Sequence, residues 1–144
     1  DGLTRDLAEI RFVIFLAQLA RSARPDAVSE EAQAKETAAS EGVVRILWYI
    51  REYSASATLQ STAEYFHYNA SYLSRLLSQE TGRSFRDWQK RFRLEKAAFL
   101  LETKDYSVQA VAQLAGYSNA GSFYQAFQTE YRMTPGQYRA RHKK

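Results

Sequence analysis

Cysteine is absent from this 144-residue sequence, so the chain forms neither a disulfide framework nor a thiolate metal site. Glycine and proline are scarce, at six and two residues, and no segment shows the two-residue alternation of a strand. The longest apolar run, Phe12 to Ala20, has nine residues and contains Gln18, whereas a membrane-spanning helix needs about 20. These absences favour an all-helical protein of the reducing cytoplasm without a membrane segment.

Residues that carry catalytic or metal chemistry are also few. His67 and His142 are the only histidines, and the sequence has no glycine-rich phosphate loop and no paired metal-ligand spacing. We therefore expect no enzymatic activity, no metal and no cofactor. His67 is expected in a turn, because histidine tolerates the left-handed backbone better than most residues do.

Charge is distributed unevenly along the chain. Residues 1–42 carry five Lys/Arg and eight Asp/Glu, whereas residues 43–144 carry fifteen and eight, which gives net charges of −3 and +7. An acidic front and a basic remainder indicate two functional parts. The basic part is the one expected to meet the phosphates of a nucleic acid.

One sequence pattern occurs twice, 49 residues apart, in the basic part. Each copy has a hydroxyl residue that suits a helix N-cap, a small alanine, a tyrosine at a turn and two apolar residues four apart. The copies are Thr58, Ala63, Tyr68, Leu73 and Leu77, then Ser107, Ala112, Tyr117, Phe123 and Phe127. Each predicts two helices joined by a tight turn, a helix-turn-helix, at residues 58–81 and 107–131.

The flanking segments complete the predicted organisation. Residues 1–22 contain an amphipathic helix, Leu3 to Arg21, whose apolar stripe is too broad to face water alone. Residues 23–42 are interpreted as a linker, partly helical around 29–39. The domain at 43–140 begins with a helix to about residue 53. A long helix from about 84 to 103 lies between the two helix-turn-helix units. The last helix begins at Thr134-Pro135, an N-cap followed by proline at the first helical position. Residues 141–144 form a basic tail.

The order of motifs over residues 43–140 resembles the AraC/XylS transcription regulators. The resemblance is carried by Tyr72-Leu-Ser-Arg-Leu76, Glu80-Thr-Gly82 with Ser84-Phe85, Arg93-Leu-Glu-Lys-Ala97 with Leu100-Leu101, Ala112, Gly116-Tyr117-Ser-Asn119, Phe123, Phe127, Met133-Thr-Pro135 and Tyr138-Arg139. It implies seven helices in two helix-turn-helix subdomains joined by a long helix. It also implies sequence-specific binding of double-stranded DNA, usually to activate transcription beside RNA polymerase.

The resemblance further implies which residues face DNA bases. In the first unit they are Ser71, Ser74 and Arg75, and Arg75 is the strongest candidate because its planar fork can bridge two acceptors on guanine. A phosphate or Glu80 is the alternative partner for this arginine. In the second unit the candidates are Ala120, Gly121, Tyr124 and Gln125. The family usually has a basic residue where this chain has Gln128, so the second unit is expected to read bases weakly or to set position.

Other residues are candidates for phosphate contacts: Arg83, Lys90, Arg91, Arg93, Asn119, Arg132 and Arg139. The alternatives are a solvated helix face, an Arg91–Glu95 salt bridge at four-residue spacing, and a structural hydrogen bond for Arg93. Arg132 stands where the family commonly has glycine, so the helix end there is expected to be strained. The aromatic residues Phe66, Tyr72, Phe123 and Phe127 are expected in the core.

Several partners are expected besides DNA. RNA polymerase follows from the resemblance, as does a small-molecule effector bound by a regulatory domain N-terminal to this segment. The apolar stripe within residues 3–21 predicts a homodimer contact or a remnant of one. The alternative function is a helical protein-interaction module that has lost specific DNA binding, supported by the neutral second recognition helix.

Overall fold

A computed structural model describes residues 30–143, together with Arg11, Phe12 and Phe15 of the preceding segment. Those three residues are helical and exposed. The amphipathic stripe of Leu3–Arg21, the dimer contact through residues 3–21 and most of the first two predicted segments lie outside the described residues.

Residues 30–143 form seven helices, and no strand occurs in this range. They are α1 (Glu30–Glu52), α2 (Leu59–Tyr65), α3 (Ala70–Thr81), α4 (Phe85–Thr103), α5 (Val108–Leu114), α6 (Ala120–Tyr131) and α7 (Pro135–His142). The prediction of an all-helical fold with two short helix pairs and a longer helix between them is confirmed.

Helix starts follow the capping residues in the sequence. Thr58 caps α2 in a reciprocal box, in which Ser61 N–H donates to Thr58 Oγ1 at 3.0 Å and Thr58 N–H donates to Ser61 Oγ at 2.9 Å. Ser107 caps α5, and Thr134 caps α7 directly before Pro135. Because each cap satisfies N–H groups that would otherwise lack a partner, these residues determine where the short helices begin.

The chain divides into two compact units. The first comprises the described part of Asp1–Tyr49 together with Thr58–Phe85, and its buried apolar residues include Val43, Ile46, Leu47, Leu73 and Leu77. The second comprises Ile50–Ala57 with Arg86–Lys144, and its core includes Leu94, Leu101, Val111, Phe123 and Phe127. Each helix-turn-helix therefore has a core of its own.

The structure differs from the sequence prediction at two places in the first unit. Helix α1 runs unbroken from Glu30 to Glu52, so the helical stretch predicted around residues 29–39 and the helix predicted from residue 43 are one helix. Nothing between Glu30 and Gly42 provides a stop signal, and Ser40 is buried. Tyr72, expected in the core, is 44% exposed. It lies beside the buried stripe of α3, and its ring packs edge-on against Tyr68 at 5.4 Å.

Candidate nucleic-acid interface

In each of the two units, a turn of the same geometry joins the paired helices. In the first, the Tyr68 N–H donates to the Ala63 carbonyl at 2.8 Å. In the second, the Tyr117 N–H donates to the Ala112 carbonyl at 2.9 Å. His67 has φ +58° at the position that Gly116 occupies with φ +100°, which confirms His67 as a left-handed turn residue. The sequence repeat is therefore a repeat of backbone geometry.

Helix α3 presents a polar face in its first two turns. Asn69 caps the helix, and its Oδ1 accepts from the Ser71 N–H at 2.8 Å. Ser71 and Arg75 are exposed, and Ser74 is half-buried. The opposite face, with Leu73 at its centre, is fully buried. Packing on that face fixes the helix and directs the Arg75 side of it to solvent.

Helix α6, like α3, has one buried apolar face and one exposed polar face, but its exposed face lacks positive charge. The four residues predicted to contact bases, Ala120, Gly121, Tyr124 and Gln125, are all exposed, while Phe123 and Phe127 are fully buried. No lysine or arginine lies between Tyr117 and Tyr131. The first turns of α6 therefore expose only uncharged residues, in contrast to those of α3, and Glu130 in the last turn carries the one charge of the helix.

Asn119 has a structural role at the start of α6. Its Oδ1 accepts from the Ser122 N–H at 3.1 Å, which makes it the N-cap of the helix. Asn119 was also predicted to contact a phosphate, which would involve the same short side chain. The N-cap hydrogen bond is a sufficient structural reason for an asparagine at this position.

Two arginines that were predicted to contact phosphates bind the protein's own backbone. Arg93 donates from Nε to the Ser54 carbonyl at 2.7 Å and from Nη2 to the Ala55 carbonyl at 3.3 Å. Arg139 donates to the carbonyls of Leu101 and Tyr106. A guanidinium has five N–H donors, and each of these arginines uses two of them on the backbone, so a phosphate contact by either arginine stays a prediction. For Arg93 the structural alternative is the one observed.

Arg91 also has partners within the chain. Its Nε lies 3.1 Å from Glu95 Oε1, which is the four-residue salt bridge considered from the sequence. Its guanidinium lies 5.9 Å from the centre of the Trp88 ring. The other predicted phosphate contacts, Arg83, Lys90 and Arg132, are exposed. Arg132 ends α6 with φ +60°, so the expected strain at this non-glycine position is confirmed.

A groove of about 610 Å³ lies beside α6 within the second unit. One wall is the face of α4 with Arg86, Lys90 and Arg93, and the other is the face of α6 with Ser122, Gln125 and Thr129. Burial raises the pKa of the Tyr117 hydroxyl, which also lines the groove, and the positive charge of Arg93 acts in the opposite direction. The phenol is therefore neutral near pH 7.

Arg86 is the positively charged groove residue that the sequence prediction missed. The available signal was its spacing from Lys90 and Arg93, because residues four and seven apart lie on one face of a helix. The sequence does not reveal that this face of α4 lines the same groove as Gln125, since the two helices are far apart in the chain.

A helix-turn-helix fold of this kind defines a class of DNA-binding proteins, and comparisons with known proteins agree. A family model described as a helix-turn-helix domain matches residues 62–141. An uncharacterized HTH-type transcriptional regulator of Bacillus subtilis, YtdP, is 31% identical over 114 residues, covering 79% of this chain and 14% of the relative. The chain belongs to the AraC/XylS family of DNA-binding transcription regulators.

Two further relatives show the same domain. The HTH-type transcriptional activator RhaS of Salmonella schwarzengrund is 28% identical over 128 residues, covering 88% of this chain and 43% of the relative. The C-terminal domain of AraT, a response regulator from Geobacillus stearothermophilus, superposes with a TM-score of 0.65 at 35% identity and covers 71% of this chain and 86% of that one. The chain thus spans 14% of the length of YtdP and 43% of the length of RhaS, less than half of each.

The family and fold are those of transcription regulators and not of enzymes. Within the described residues, no group of three His, Asp or Glu side chains is placed to hold a metal ion. None of the helices that the structure describes has the length and apolar character needed to cross a bilayer.

Proposed function

We propose that the chain reads two successive major-groove segments of a DNA operator, one with α3 and one with α6. The supporting observation is that both helices are held by a buried apolar face while their first two turns expose polar residues. The first turns of such a helix are those that meet base edges. The proposal extends the family assignment to the particular residues of this chain.

Arg75 is proposed as the main base-reading residue, with Ser71 and Ser74 beside it. It is exposed on α3, and a bidentate arginine contributes about 1–3 kcal/mol of discrimination for guanine. The neutral face of α6 is proposed to contribute less. Gln125 is suited to adenine, and Tyr124 to a thymine methyl group, while Ala120 and Gly121 allow close approach.

A charge-matched pair of variants tests this assignment. A bound sequence is first selected from a random duplex pool, and affinity is then measured on that duplex and on a scrambled one. We expect Arg75→Ala to reduce the ratio between the two affinities by roughly ten-fold or more, as a lost bidentate contact would. Arg45→Ala removes the same charge from an exposed position on α1 and should leave the ratio unchanged.

An equal loss on both duplexes from Arg75→Ala would make this residue a phosphate contact instead. If the wild-type chain bound no duplex at any salt concentration, the alternative of a protein-interaction module would replace the proposal. The neutral face of α6 is the observation that favours that alternative.

We infer the wider roles from the relatives. An activating role, contact with RNA polymerase and a cytoplasmic location are supported by the family and by the activator RhaS. A homodimer through residues 3–21 is supported by the apolar stripe of that segment in the sequence. A small-molecule effector is supported by the greater length of the relatives, which leaves room for a regulatory domain. Each of these is a proposal for the whole protein.

A further inference from the structure

Helix α6 lacks the cations that a groove-entering helix ordinarily uses. A recognition helix in the major groove lies between two phosphate strands, and most of the affinity of such complexes comes from neutralising phosphates. Between Tyr117 and Tyr131 the only charged residue is Glu130. If α6 enters DNA, positive charge must come from a neighbouring element of the second unit.

Helix α4 supplies that charge across the groove described above. Arg86, Lys90 and Arg93 follow one another at four- and three-residue steps, so they share one face of α4. One face of α6 likewise presents three residues at three- and four-residue steps, Ser122, Gln125 and Thr129. The two faces line one groove of about 610 Å³, and three cations are opposed there by a single carboxylate, Asp87.

The three cations of the groove differ in how they are engaged. Arg93 is fixed on the carbonyls of Ser54 and Ala55, and its guanidinium lies 5.8 Å from the centre of the Tyr117 ring. It is therefore a fixed part of the groove lining. Arg86 and Lys90 are exposed on the same face of α4. Long side chains in this setting can keep their charged ends in water until a phosphate displaces that water.

We propose that the groove between α4 and α6 holds the DNA backbone strand bordering the segment that α6 enters, with Arg86 and Lys90 as its phosphate contacts. This rests on the proposed function and extends it to the source of affinity in the second unit. Gln125, on the opposite wall, then faces the base edges while α4 holds the phosphates. In the second unit, α4 would then supply most of the affinity for DNA, and α6 would supply the base preference.

The test compares two double variants of the whole chain that lose the same charge. R86Q/K90Q removes both proposed contacts, and R45Q/K96Q removes one arginine and one lysine from exposed positions that do not line the groove. Each is titrated with the selected duplex and with a scrambled one at several salt concentrations. Thermal unfolding of both variants confirms that they remain folded.

We expect R86Q/K90Q to lower the slope of log affinity against log salt by about 1.8, which is about 0.9 for each lost phosphate contact. Affinity should fall by the same factor on both duplexes, because phosphate contacts carry no sequence information. R45Q/K96Q should leave the slope close to that of the wild type. Equal slopes for the two double variants would overturn the proposal.

A second measurement locates the contact. Duplexes that each carry one neutral methylphosphonate are scanned along the half of the site that α6 covers. The wild type should lose affinity at one or two of these positions, and R86Q/K90Q should lose nothing further there. A variant that stays as sensitive as the wild type at every position would overturn the proposal while leaving the proposed function intact. A wild type that selects no duplex would overturn both.

Discussion

Gly116, in the turn of the second helix-turn-helix, should tolerate alanine poorly. Its φ is +100°, a conformation that L-residues rarely adopt. A Cβ there would also lie 2.7 Å from Ala55 Cα and 2.8 Å from Ala55 O. Both contacts are backbone atoms, and the carbonyls of Ser54 and Ala55 are held by Arg93. The segment therefore cannot move aside without losing those hydrogen bonds.

The cost of Gly116→Ala has two parts. A left-handed backbone costs an L-residue roughly 1–2 kcal/mol. Overpacking against a fixed neighbour adds about 1–3 kcal/mol. Gly82→Ala is the matched control, because Gly82 has φ +74° but nothing within 4 Å of its would-be Cβ. Only the first part of the cost applies there, so Gly116→Ala should be the more destabilising by about 1–3 kcal/mol.

Denaturant unfolding followed by tryptophan fluorescence measures the difference. Trp88 is buried in the second unit and Trp48 lies in the first, so a Trp48→Phe background restricts the signal to the unit that contains Gly116. Gly82→Ala, which lies in the first unit, is measured in the complementary Trp88→Phe background. Equal losses from the two substitutions would show that the approach to Ala55 imposes no constraint, and the reasoning would be refuted.

Four further outcomes are expected. Arg132→Gly should relieve the left-handed strain at the end of α6 and raise the free energy of unfolding by about 0.5–1 kcal/mol, measured in denaturant. If Arg132 contacts a phosphate, the same variant should lower the salt slope of DNA binding by about one. A chain that begins at Glu30 should bind DNA as the whole chain does, because the basic excess lies after residue 42. Sedimentation of these two chains should differ if residues 3–21 form a dimer contact, and identical monomers would contradict that contact.

Local signals explain why much of the fold was predictable. N-caps such as Thr58 and Thr134 and the left-handed Gly82 act within a few residues of their own position, so the sequence shows them directly. That α1 is a single helix from Glu30 to Glu52 was not predictable in this way. Its first half is rich in alanine, serine and glutamate, a composition that suits a linker or a helix equally well.

The roles of the arginines depend on contacts distant in sequence. Arg93 donates to carbonyls 38 and 39 residues away, and Arg139 donates to carbonyls 33 and 38 residues away. No periodicity or spacing reports such a partner. The exposure of the residues proposed to read bases, by contrast, follows from helical phase, because Leu73 and Phe123 fix which faces of α3 and α6 are buried.

The most direct test of the account is the affinity of the whole chain for its selected duplex and for a scrambled duplex, measured across a series of salt concentrations. We expect log affinity to fall linearly with log salt on both duplexes, since phosphate neutralisation supports binding to any sequence. The selected duplex should remain the tighter ligand, with a specificity ratio of about 10³ or more. Equal affinities for the two duplexes, unchanged by salt, would contradict the claim that this chain reads DNA with its two helix-turn-helix units.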